Sequence, residues 1–389
     1  MKGRKKFRLQ NEKGSPGTLL YWVLAVGLAS GLAWLIWRSD FIPGQNPLAP
    51  QPIQQTNAAP IPKGTIEGSA IKPVPGPLSQ SSNQPPFKPP LPLSPKVAEL
   101  DSQGRRPASN AFEAQLALDR IGFSPGSIDG VLGPQSRAAL RAFQRKSHIP
   151  QTGDLDSLTA QSLLLSEPST RSYVVTQADV GRLRKTGASW TEKSRQDRLD
   201  YETILEMVSE LGHARPDFVR QLNPGVDLSS AGPSWVVRIP NVDPVPTTLK
   251  AASIRIRLGE KTLEVFDSGS VLMAHFPCSI ARLVEKRPIG RLKVISKVGN
   301  PNYKFNPALF PESPESQRGQ GPFIIPAGPN NPVGVGWIGL DRSGYGIHGT
   351  AKPETIGRTE SRGCFRLSNW NVERLLPMVW AGMPVTVEP

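Results

Sequence analysis

Sixteen of the chain's 41 prolines fall between residues 41 and 110, among Gln, Ser and Asn and without a periodic apolar pattern. Proline fixes φ and removes a backbone donor, and so polar a segment has no apolar face to bury, so this stretch cannot build a core. It reads as a tether reaching between about 50 Å as a flexible coil and about 200 Å as polyproline. The folded part of this 389-residue chain is therefore expected beyond residue 110. There is room there for two or three units.

Upstream of the tether, Thr18 to Trp37 is an uncharged, mostly apolar run of 20 residues, enough to cross about 30 Å of hydrocarbon as a helix. Six basic residues against one acidic one precede it, which places a cytoplasmic tail at 1–17 and exports the remainder. A cleaved signal peptide is the alternative, but the apolar run continues past Leu28-Ala-Ser-Gly. The expectation is a single-pass membrane protein whose folded part lies on the exported side. Of the net charge of +14, the tail holds +5, and the rest is spread too thinly for a nucleic-acid surface. Two cysteines are too few for a disulfide scaffold. A zinc site from His275, Cys278, His348 and Cys364 is disfavoured, because strand residues three apart point to opposite faces.

After the linker at 38–109, Asn110-Ala-Phe-Glu113 has the form of a capping box, and Phe112 and Leu116 follow helical spacing until Ile121-Gly122. Pro134 suits the first turn of a second helix and Asp156 caps a third. A small three-helix bundle is predicted over 110–166. Residues 168 to 200 are polar, then Ile204, Val208 and Leu211 share one helical face, followed by a short helix from Asp217 and a strand from Trp235 to Ile239. From Ile254 the pattern alternates, with strands at 254–258, 263–266, 271–276 and 291–296, which predicts a mainly β, sandwich-like or barrel-like domain over 251–389. A helix is expected over Asn371 to Val379.

That last domain carries Tyr345-Gly-Ile-His348-Gly-Thr350 and Ser361-Arg-Gly-Cys364-Phe-Arg366. A cysteine is nucleophilic as a thiolate, and a nearby histidine is the usual base. Glycines beside both residues permit sharp turns and close approach, while the Gly363 and Cys364 amides could hold an oxyanion. Arg362 and Arg366 bracket the thiol.

The run from Asn331-Pro-Val-Gly through Ile347-His-Gly-Thr to Ser361-Arg-Gly-Cys-Phe-Arg resembles the YkuD-type L,D-transpeptidase catalytic domain. Arg287-Pro-Ile-Gly290 stands where that family usually has Thr-Pro-x-Gly. Arg362 replaces its commoner histidine and Phe365 a small aliphatic. The resemblance implies Cys364 as acyl-accepting nucleophile, His348 as general base and acid, and Gly363 as an oxyanion-hole amide. It points to Arg366, Ser361, Gly349, Arg362 and Asn331 on the substrate side. No metal or organic cofactor is implied. The stretch Leu116 to Leu164, with Gly122-Phe-Ser-Pro-Gly-Ser-Ile-Asp-Gly-Val-Leu-Gly-Pro, looks like a type 1 peptidoglycan-binding domain. Residues 167–250, with Leu-Asn-Pro and a terminal Ile-Pro, resemble a divergent LysM-like α+β segment, and an adaptor packed on its neighbours is the competing reading. Together these imply an enzyme that acylates its cysteine with a peptidoglycan tetrapeptide stem, releases D-alanine and transfers the acyl group to an amine, giving 3-3 crosslinks. An inactive wall-binding tether and an L,D-carboxypeptidase are the alternatives. Expected partners are stem peptides, glycan and membrane, with no nucleic acid.

Overall fold

The computed structural model describes residues 104–242, 250–359 and 361–389. The basic tail, the expected anchor at 18–37 and nearly all of the linker lie outside the described residues. Among the described residues, no helix is long and apolar enough to cross a membrane.

The first unit runs β1 (Arg106–Pro107), α1 (Ala111–Arg120), α2 (Pro134–Lys146), α3 (Ser157–Ser162) and β2 (Leu164–Leu165), with β1 and β2 antiparallel. Asn110 caps α1, its Oδ1 accepting from Glu113 N–H at 3.0 Å. The reciprocal half of the expected capping box does not form. Glu113 instead accepts from Ser109 N–H at 3.0 Å and pairs with Arg106, because β1 brings that guanidinium over the helix start. Gly122, at φ +89°, ends the helix in the left-handed region. Pro134 opens α2, and Asp156 accepts from Thr159 N–H at 2.9 Å to cap α3.

The second unit contains β3 (Thr170–Val174), α4 (Gln177–Arg182), α5 (Trp190–Ser194), α6 (Ile204–Leu211), α7 (Pro216–Leu222) and β4 (Val236–Pro240). β3 pairs antiparallel with β4 inside a stretch that reads as polar. Its residues are all half-buried or exposed, so no apolar alternation marks it. Ile204, Val208, Val219, Val237 and Ile239 join Leu116 and Leu140 of the first unit in one core, so the two units share an interior.

The third unit comprises β5 (Ser253–Arg257), β6 (Thr262–Phe266), β7 (Leu272–Pro277), β8 (Gly290–Gly299), β9 (Tyr303–Phe305), α8 (Pro314–Gln317), β10 (Phe323–Ile325), β11 (Gly336–Leu340), β12 (Gly346–His348), β13 (Phe365–Arg366), α9 (Asn369–Leu375) and β14 (Pro384–Glu388). Eight of its strands form one mixed sheet in the order β13-β12-β11-β8-β14-β5-β6-β7. Of the sandwich-like and barrel-like forms expected, the second fits, since the two ends of the sheet meet. Beyond β7, Ser279 N–H donates to Arg366 O at 2.9 Å and Arg366 N–H to Ser279 O at 3.0 Å, joining the β7 edge to β13. Such closure satisfies edge groups that would otherwise face solvent or another chain. Inside lie Ile256, Leu263, Phe276, Ile338, Ile347 and Phe365, packed with Val372 and Leu375 of α9. That helix begins two residues earlier than expected and stops at Leu375; Leu376 keeps helical backbone as its cap, but Pro377 offers no N–H to carry the ladder on. β9 and β10 form a separate ladder whose Phe305 and Phe323 cluster with Trp190 and Phe310.

One junction ties all three units. Asp119, at the end of α1, holds His213 Nδ1 at 2.8 Å, and the His213 ring stacks on Trp370 of α9 with centroids 5.1 Å apart. Arg374 donates to the Asp119 carbonyl.

Candidate active site

Strand register builds the centre of the site. β12 and β13 run parallel, with Ile347 opposite Phe365 and His348 opposite Arg366. Ile347 and Phe365 point into the core, so strand alternation sends His348 and Arg366 to the other face. Cys364 lies in the bend directly before β13, where the Gly346 N–H, two residues before His348, meets its thiol.

The imidazole is held from two sides. His348 Nδ1 lies 2.7 Å from Gly349 O, and a carbonyl only accepts, so Nδ1 carries the proton and Nε2 presents a lone pair. Trp337, opposite His348 on β11, stacks its indole at 18° and 5.7 Å between centroids. Gly346 makes room for that indole, since a Cβ there would sit 2.6 Å from two of its ring atoms. Burial is the main cause that brings His348 down to about 4, with the Arg366 charge adding to it against the Gly349 contact.

The thiol is half-buried, and its Sγ reaches Gly344 O at 3.5 Å. Burial pushes the Cys364 thiol up, and the Gly346 N–H offsets this in part. Thiol and imidazole are therefore both neutral in the resting protein. The flanking arginines do not supply the thiolate-stabilising field that the sequence suggests. Arg366 Nη2 donates to Thr359 O at 3.1 Å and to Thr359 Oγ1 at 2.8 Å, which braces the loop, while its Nε makes no hydrogen bond among the described residues. Arg362 lies over the Phe310 ring at 4.4 Å, donates to Leu309 O at 3.0 Å and pairs with Glu312, fastening the signature loop to the segment after β9.

The turn before Cys364 is closed by Ser361. Its hydroxyl donates to Cys364 O and accepts from Gly363 N–H at 3.2 Å. The Gly363 amide expected in an oxyanion hole is thus engaged in the turn, whereas Cys364 N–H makes no hydrogen bond among the described residues. Asn331 does not face a ligand either. It is 0 % exposed, donates to Pro326 O at 2.7 Å and accepts from Val333 N–H at 2.9 Å, so it shapes its loop from within. Gly349 permits a close packing, because a Cβ there would meet Asn369 Oδ1 at 2.4 Å.

Trp337, Gly346, Asn369 and Tyr303 are the site residues that sequence reasoning missed. Asn369 Oδ1 accepts from Val335 N–H at 3.2 Å and packs against Gly334 and Gly349, behind the imidazole. Burial raises the Tyr303 hydroxyl, and Cys364 adds to that shift. The Trp337-Ile-Gly339 alternation was the one signal available for the indole's face.

Two family models match the chain: the L,D-transpeptidase catalytic domain at residues 251–387 and a putative peptidoglycan-binding domain at residues 108–163. The putative L,D-transpeptidase YkuD of Bacillus licheniformis is 28% identical over 48% of this chain and 94% of its own length. Its namesake in Bacillus subtilis is 30% identical over 43% of this chain and 82% of its own. A solved catalytic domain of the Enterococcus faecium L,D-transpeptidase, acylated by ertapenem, is 21% identical with a TM-score of 0.27, covering 36% of this chain and 98% of that one. The sequence motif, the domain match and the length shared with the Bacillus relatives agree, and the chain belongs to the YkuD-type L,D-transpeptidase family.

Proposed function

We propose that Cys364 is the nucleophile and His348 its base in an acyl transfer between peptidoglycan stem peptides. The observation that supports this reading is the pairing of β12 with β13, which brings the bend that carries Cys364 to the strand that carries His348, while the Gly349 carbonyl leaves His348 Nε2 unprotonated. His348 Nε2 takes the thiol proton as Cys364 Sγ attacks the carbonyl between the L-centre of diaminopimelate and the terminal D-alanine. The Cys364 N–H faces the oxyanion, and Gly363 N–H joins it by giving up its 3.2 Å contact with Ser361. His348 returns the proton to the departing D-alanine amine, leaving a thioester. A side-chain amine of a second stem then attacks, loses its proton to His348 and releases the thiol, forming a 3-3 crosslink.

The 108–163 match supports peptidoglycan as the partner. The core shared between 167–250 and that module supports an adaptor role for this segment over an independent LysM-like glycan binder. We place the chain in the bacterial inner membrane through Thr18 to Trp37, with its enzyme domain in the periplasm. The domain boundaries follow as 110–166 for wall binding, 167–250 for the adaptor and 251–389 for catalysis.

Incubation with disaccharide tetrapeptides is expected to release D-alanine and yield dimers joined between diaminopimelate residues, read by mass spectrometry. Cys364→Ala abolishes both products and His348→Ala slows acylation by about two to four orders of magnitude. Tripeptide without dimers assigns the carboxypeptidase reaction instead. Full activity in Cys364→Ala removes the nucleophile assignment.

A further inference from the structure

The ladder of β9 and β10 stands outside the eight-stranded sheet, and its apolar side chains form a cluster separate from the sheet's core. Two strands this short are marginal in water by themselves. Their cover comes from the adaptor segment. Phe305 and Ile325, each 0 % exposed, close around Leu199, equally buried, and the indole of Trp190 on α5. That indole stacks on Phe305 at 13° with centroids 4.2 Å apart, and it has Tyr303 at 6.1 Å and Phe310 at 6.0 Å. Polar contacts fix the same seam. Leu199 N–H donates to Ala327 O at 2.9 Å, Asn330 N–H to Leu199 O at 3.0 Å, and Thr191 N–H to Glu315 Oε1 at 3.3 Å.

The same aromatic cluster meets the turn that presents the thiol. Every side-chain hydrogen bond and ion pair that Arg362 makes among the described residues goes to Leu309 O or Glu312, and its guanidinium lies over the Phe310 ring between them. Arg362 is two residues before Cys364, so this side of the turn is only as firmly placed as the ladder. Tyr303, of the same cluster, has its hydroxyl raised by burial and next by Cys364. The turn's other fastening belongs to the sheet domain, where Ser361 N–H donates to Ile280 O at 2.7 Å.

We propose that Trp190 is a positioning residue for acyl transfer at Cys364: from the adaptor it seats the β9–β10 ladder, and the ladder in turn holds Arg362 and the turn that presents the thiol. The role in transfer rests on Cys364 as the nucleophile, whereas the seating of the ladder does not. The segment that shares an interior with the peptidoglycan-binding module thus also carries one side of the active site. A displacement of about 1 Å at a reacting group costs on the order of 100-fold in rate. With Ser361 still fastened, loss of the indole releases the turn at one of two points, and about a tenfold loss is expected.

The test uses the full-length chain with Trp190→Ala, Trp190→Phe and Arg362→Gln. Acylation of Cys364 by a tetrapeptide donor is followed by mass spectrometry of the intact protein. Alkylation by iodoacetamide, which needs the thiol and its base but no seated donor, is followed in parallel. Cys278 is buried, so alkylation reports Cys364. Trp190→Ala is expected to lower the acylation rate about tenfold, to leave alkylation within about twofold, and to speed trypsin cleavage after the exposed Arg318 about tenfold. Trp190→Phe, which keeps a ring on Phe305, restores most of the acylation rate. Combined with Arg362→Gln, Trp190→Ala adds less than its own tenfold, as residues acting through one contact require. Should circular dichroism show Trp190→Ala unfolded, Trp190→Leu, which keeps apolar volume without the stack, takes its place with the same expectations. Unchanged acylation in Trp190→Ala, losses that multiply in the double variant, or alkylation that falls along with acylation overturns the proposal. If the unsubstituted chain takes no donor, the nucleophile assignment fails on its own, and trypsin decides the rest: cleavage after Arg318 that Trp190→Ala does not speed overturns the seating of the ladder.

Discussion

The buried imidazole predicts an unusual acid limb for acylation. At pH 5 an ordinary histidine is about 3% neutral, but burial brings His348 to about 4, which leaves about 90% of it in the form that accepts a proton. Between pH 7 and pH 5 a base of ordinary pKa therefore costs about 25-fold in kcat/KM, and His348 costs less than about twofold. The assay is the acylation rate of Cys364 by a tetrapeptide donor, read by mass spectrometry of the intact protein at fixed ionic strength. Stability moves with the same group. The unfolded chain takes up a proton at about 6.5 and the folded chain only at about 4, so the contribution is complete above about 6.5 and is lost as pH falls from there through about 4. At about 1.4 kcal/mol per pH unit this amounts to about 3 kcal/mol, and His348→Gln removes that slope. Acylation is therefore compared only where circular dichroism shows the chain folded. An acid limb centred between pH 6 and 7, with no loss of folded protein, refutes a buried neutral base.

Gly346→Ala is expected to push the indole of Trp337 off His348, because the new Cβ would lie 2.6 Å from the ring. A cost of about 1–3 kcal/mol in thermal unfolding and about a tenfold loss of acylation rate should accompany it. Asp119→Ala leaves His213 without its 2.8 Å partner at the three-unit junction, which costs about 1–3 kcal/mol. Calorimetry should then show the N-terminal module melting ahead of the sheet domain; one unshifted transition would argue against the junction.

The helix starts were legible because caps are local. Asn110, Pro134 and Asp156 each act within one turn of themselves. Glu113 escaped its expected partner because Arg106 arrives through β1, and β1 exists only by pairing with residues almost sixty positions on. β3 was illegible for a similar reason, since its stabilisation lies in the ladder with β4 and not in its own pattern. At the site, the identities of His348 and Cys364 could be read from their glycine-flanked motifs, but their surroundings could not. Arg366 turns to Thr359, Gly363 to Ser361 and Asn331 inward, and each choice depends on how a loop folds back on itself. Trp337 reaches His348 only through the β11–β12 register.

The protonated resting thiol carries a consequence for survival among oxidants. Disulfide exchange and peroxide oxidation both proceed through thiolate, so their rates fall as the thiolate fraction falls. Cys364 is shifted upward by burial, and Cys278, wholly enclosed, is pushed up to about 12. Neither of the chain's two thiols offers oxidants a standing anion. A thiol held this way reacts slowly with oxidants. In the proposed mechanism its reactivity is released only when a donor carbonyl, seated against the thiol, makes transfer of the proton to His348 productive.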